Sequence, residues 1–145
     1  MKHIEIFTFC LLLSFSLFSS QSNQIPILND LATLQVKVDN TEITNNNQVQ
    51  TTFEILFKAN LGKVSPGSPF PQILKDSLII IKYNADEANI ISINCKKNSI
   101  IECRLKDDFI EIKAKYSTNF LYLRETFQTS SNKQVSIISF TYKSA

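Results

Sequence analysis

Tryptophan is absent from this chain, histidine and methionine occur once each, and glycine occurs only twice. Each scarcity removes a class of chemistry. His3 stands in a leader-like N-terminus, and a chain that loses it has no imidazole for a Ser-His or Cys-His pair, nor for a His-containing zinc site. Gly62 and Gly67 are separated by Lys63, Val64, Ser65 and Pro66, which matches neither GxGxxG nor GxxxxGK, so Rossmann and P-loop nucleotide binding are not expected. Stacking on a sugar would fall to tyrosine or phenylalanine, and Met1 alone cannot furnish a methionine-rich groove. After residue 22 no Asn-x-Ser/Thr sequon occurs despite abundant asparagine.

Charge is also scarce in net terms. The formal balance is +2, too slight to argue for nucleic acid or an anionic membrane as partner. Lys96 and Lys97 read as a solvated hairpin tip, with phosphate binding as the alternative.

A long apolar run is found at the N-terminus. Lys2 precedes a mostly apolar stretch over 6–18, and Ser19, Ser20 and Ser22 follow, which is the order of a secretory signal peptide. A membrane span wants roughly 17 to 25 predominantly apolar residues, whereas this run is shorter and carries Ser14 and Ser16. We therefore expect a signal peptide over 1–22, a single domain over 23–145 and passage through the secretory pathway, with a retained N-terminal anchor as the alternative. Cleavage would remove Cys10 and leave Cys95 and Cys103, and an even count in an oxidising compartment favours a disulfide.

The rest of the sequence reads as strands. Leu34, Val36 and Val38 alternate with Gln35 and Lys37; Val49, Thr51, Phe53, Ile55 and Phe57 alternate with Gln50, Thr52, Glu54, Leu56 and Lys58; and Ile110, Ile112, Ala114 and Tyr116 alternate with Glu111, Lys113 and Lys115. Apolar residues on both faces of 77–83 suggest a central or doubly covered strand, and Pro26 marks an edge strand or an extended lead-in. Residues 60–72 gather both glycines with Pro66, Pro69 and Pro71 and predict a structured loop. No stretch sustains the period of a strong amphipathic helix. About seven to nine strands with frequent polar turns predict an all-β fold, a compact antiparallel β-sandwich. An immunoglobulin-like topology is the first expectation and a jelly roll or small cup the next, although the long-range Cys-Trp-Cys signature is missing.

Candidate sites follow from this scaffold. Cys95 and Cys103 flank a polar turn near Asn98 and Ser99, and a disulfide across a β-hairpin is expected there, since cross-strand positions approach within bonding range. Asp86 and Glu87 occupy one turn and Asp107 and Asp108 another, so calcium could bind if the two turns meet. Phe70, Pro71 and Ile73 close the proline-rich loop with an apolar anchor on a preorganised backbone, a candidate partner-binding segment. The expected function is a non-enzymatic secreted or surface-associated protein-binding or structural module, whose partner is an extracellular or surface protein or another copy of the chain. The alternatives are an extracellular carrier of lipid or a small apolar ligand, which requires a cavity, and a calcium-dependent binding module.

Overall fold

The computed structural model describes residues 23–119 and 122–145; the expected signal peptide lies outside the described residues. The strands are β1 (Gln24–Ile27), β2 (Ala32–Ile43), β3 (Val49–Ala59), β4 (Gln72–Ile73), β5 (Leu78–Tyr83), β6 (Ile90–Cys95), β7 (Ile101–Leu105), β8 (Phe109–Ala114), β9 (Thr118–Asn119), β10 (Tyr122–Ser131) and β11 (Ile137–Lys143). Nine of them build two sheets, in the orders β1-β2-β3-β10-β6 and β11-β5-β8-β7, while β4 and β9 form a two-residue ladder of their own. Every pairing is antiparallel. The fold is an all-β sandwich.

Period-two alternation explains how it closes. Leu34 and Val36 of β2, Phe53, Ile55 and Phe57 of β3 and Phe127 of β10 are buried, as are Ile79 and Ile81 of β5 and Ile110 and Ile112 of β8. These faces form one apolar core between the sheets. Phe53 and Phe127 are directly opposed across the β3–β10 ladder, their rings stacked with centroids 4.9 Å apart. Such a pair adds specific aromatic contact to the burial of two large rings. β5 is central in its sheet, yet Leu78 and Ile80 on its outer side are only half-buried, which accounts for its two apolar faces.

The connections follow from the sequence to different degrees. β2 extends through Ile43 and pairs with β3 as far as Ile43 opposite Val49. From Val38 onward its residues are exposed, which corrects the placing of Val38 on the buried side, and nothing there enforces apolar alternation, so the extension of the strand is silent in the sequence. Pro26 lies in β1, an edge strand, where a missing ladder donor is tolerated. In the proline-rich loop, Ser68 N–H donates to Ser65 C=O at 3.1 Å and Gly67 has φ +82°, the turn that Pro66-Gly67 encodes.

The expected immunoglobulin-like topology is not shown: β6 and β10 are neighbours in the larger sheet although β7, β8 and β9 lie between them in the chain, whereas the corresponding immunoglobulin strands are consecutive. In the second sheet β11 is an edge, and the β7–β8 hairpin fills the other flank of β5.

Candidate functional site

Cys95 and Cys103 are joined in a disulfide with Cα atoms 5.7 Å apart. The hairpin expectation is corrected, because β6 pairs with β10 in one sheet and β7 pairs with β8 in the other. The bond therefore clasps the adjoining edges of the two layers. The turn between them bends at Asn98, with φ +66°, and Ser99 N–H donates to Lys96 C=O at 3.1 Å. Glu125 of β10 reinforces it: one carboxylate oxygen accepts from Ser99 Oγ at 3.0 Å and the other from Ile100 N–H at 3.3 Å. Both oxygens thus hold the crossing chain. The alternation of β10 puts Glu125 on the same face as Phe127, and that mismatch was the available signal for it.

Strand directions sort the loops into two ends. The β1–β2 turn, the loop after β3, the β6–β7 crossing, the segment after β8 and the C-terminus share one end, called here the loop end. At this end β4 pairs with β9, placing Ile73 opposite Thr118, and Lys75 N–H donates to Ser117 Oγ at 3.0 Å. Leu74 is thereby brought beside the segment that carries Tyr116. Ile73 itself is only 2% exposed and belongs to the core, so its expected partner-binding role is corrected; Pro71 is half-buried, and Phe70 remains exposed. Leu61 and Leu74, which the sequence did not single out, are exposed with it, and so is Tyr116: β8 ends at Ala114, which corrects the alternation that carried Tyr116 onto the apolar face.

The loop end is also basic. Lys58, Lys75, Lys97, Lys115 and Lys143 have no ion-pair partner among the described residues, nor has Lys96, which lies farther down the larger sheet beside Thr126 and Gln128. The acids interspersed with them are engaged: Asp30 with Lys63 at 3.8 Å, Asp76 with Lys113 at 3.6 Å, and Glu125 in the turn just described. Lys115 Nζ lies 5.9 Å from the Tyr116 ring centroid, within cation–π range.

The opposite end collects acids. Phe109 of β8 pairs with Lys82 of β5, so the turn bearing Asp107 and Asp108 adjoins the turn after Tyr83 that bears Asp86 and Glu87. Tyr83 senses this: burial, and secondarily the charge of Asp108, raise its phenol above the ordinary value of 10.0. The two turns share an end, but among the described residues no three His, Cys, Asp or Glu side chains gather closely enough to hold a metal ion. Asp39 and Glu42, at the exposed part of β2, add to the acidic side. Lys82, Lys106 and Lys133 stand at this end too, so acid is in excess there rather than alone, and the small net charge of the chain conceals an uneven distribution of sign.

Between the sheets, the apolar space lined by Phe57, Ile73, Ile79, Ile101, Ile112 and Tyr142 amounts to about 10 Å³. That is on the order of one water and far below the roughly 300 Å³ of a small-molecule pocket, so a carrier of lipid has no cavity there. Among the described residues no helix is long and apolar enough to cross a membrane. No family model matches the chain, and comparisons with curated proteins and with solved structures find no match.

Proposed function

We propose that this chain is a secreted, non-catalytic binding module that attaches to an acidic surface through its loop end. Exposed apolar side chains occur toward both ends, Ile43, Ile91 and Ile138 toward the acidic one, and the observation that carries the reading is that only at the loop end do they, as Leu61, Phe70, Leu74 and Tyr116, coincide with an excess of lysines that have no ion-pair partner among the described residues. Apolar side chains held in water on loops gain by burial against a partner, and unpaired lysines favour a partner of opposite sign. The disulfide suits an oxidising compartment, in keeping with the leader read from the sequence.

The test is retention on the surface of the cells that secrete the protein. Purified protein added to washed cells should be retained and released by salt, while Phe70→Ser with Leu74→Ser should lower retention by about tenfold, the effect of withdrawing one or two side chains from a buried contact. Equal retention of the variant and the parent would remove the loop end as the attachment surface.

A further inference from the structure

The partner of the loop end can be narrowed by its shape and composition. Leu61, in a short 3-10 turn after β3, and Phe70 stand at the two ends of the β3–β4 loop, Leu74 follows β4 and Tyr116 follows β8, so the apolar side chains arise from three connections rather than from one flat sheet face. They are 57%, 41%, 43% and 61% exposed, respectively. Lysines alternate with them along the chain: Lys58 precedes Leu61, Lys75 adjoins Leu74, and Lys115 adjoins Tyr116. Separate apolar prongs set among cations suit a surface that is fluid, planar and anionic, because such a surface conforms to each prong without a matching pocket. A sulfated glycan or a nucleic acid would use the lysines but would have little use for exposed leucines. The acidic opposite end turns this into an orientation: Asp86, Glu87, Asp107 and Asp108 would be repelled by the surface that attracts the loop end.

We infer that the acidic surface is a lipid one: the loop end docks on an anionic bilayer, with Leu61, Phe70, Leu74 and Tyr116 entering the headgroup region and the surrounding lysines held by lipid charge. The inference rests on the attachment reading above and names its partner. A lysine near an anionic leaflet changes affinity by about fivefold, and the attraction weakens as salt shortens the screening length. No single apolar prong would suffice, since stable attachment requires two kinds of signal together.

The experiment is co-sedimentation of the protein, purified from expression of the full chain, with vesicles of neutral lipid alone and with vesicles in which about one lipid in four is anionic. Binding should be confined to the anionic vesicles and should fall by at least tenfold between about 0.1 M and about 0.5 M salt. Leu61→Ser with Phe70→Ser should lower it by about tenfold at low salt, and Lys75→Glu with Lys97→Glu by more than that. Asp86→Asn with Glu87→Gln, at the other end, should leave it within about twofold. All these positions are exposed, so the variants are expected to fold, and matching melting curves check this.

Absence of binding to anionic vesicles overturns the inference. So does equal binding to neutral ones, and so does an effect of the lysine variants without one of the serine variants, which would mark a soluble polyanion as the ligand. If vesicles fail while the Phe70 and Leu74 variant still loses cell-surface retention, the attachment reading stands and its partner is an acidic protein. If both fail, the attachment reading falls as well.

Discussion

The two long flanks of the sandwich are closed by different means. On one, β6 and β7 are the facing edges, and they are tied by the Cys95–Cys103 disulfide and by the Glu125 carboxylate on the crossing turn. On the other, β1 and β11 end their sheets without pairing with each other, and a groove of about 730 Å³ lies between them, lined by Ile25, Ile27, Leu28, Phe140 and Tyr142. The chain separates two kinds of closure. Where it crosses from one layer to the other within a short turn, a covalent bond spans few residues and is easily formed. Where the facing edges come from the two extremes of the domain, apolar burial alone holds them: Ile27 is 6% exposed and Phe140 5%.

The contrast can be broken most strongly at the open flank. Phe140→Ala should cost about 3 kcal/mol, the usual loss for truncating a buried ring, and should raise hydrogen exchange in β11 well before it does so in β7. Denaturant unfolding checks the first part, and uniform acceleration of exchange in both strands would contradict the second. At the clasped flank, Cys95→Ala with Cys103→Ala should cost about 2.5 kcal/mol, because the small closed loop removes limited entropy from the unfolded chain. Urea midpoints with unchanged slopes would report it cleanly, and the sheets should remain apposed because Glu125 still grips the turn.

The smallest effect is expected at Tyr83, which pairs with Ile137 at the start of β11. Its raised phenol contributes stability that is fully present below about pH 10 and lost as pH climbs through the folded-state value. Tyr83→Phe should flatten that alkaline loss, whereas Asp108→Asn should reduce it only in part, because burial is the larger cause. Melting temperatures measured between about pH 8 and 11 distinguish the two. Identical alkaline slopes in all three proteins would detach Tyr83 from the effect.

The buried strands were legible wherever one face meets the core. The alternation of Val49 to Phe57 predicts the inward set of β3, and Ile110, Ile112 and Ala114 of β8 behave likewise. Legibility ended where packing exerts no constraint, as along Asp39 to Ile43, and where pairing depends on distant segments. Two cysteines around a polar turn look the same whether their strands share a sheet or lie in opposed ones; only the choice of β10 as partner of β6 decides it. The loop-end surface was hidden for a related reason. Phe70 is conspicuous in its loop, but Leu61 at the start of the same loop, Leu74 and Tyr116 join it only after strand directions bring three connections together. Ile73 misled because one step along an extended chain exchanges core for solvent.

The pairing of β3 with β10 carries a consequence for the order in which the protein can fold. Ser131 pairs with Val49 across a sequence separation of 82 residues, within the ladder at the centre of the larger sheet. The β2–β3 and β7–β8 hairpins join near neighbours and can form early, but this central seam must await the synthesis and return of β10. Until then, the inward face of β3, with Phe53, Ile55 and Phe57, has no partner strand on one side. Folding should therefore be slow for a domain of this size, on the scale of milliseconds to seconds, with an interval in which that unfinished edge is open to pairing with other chains.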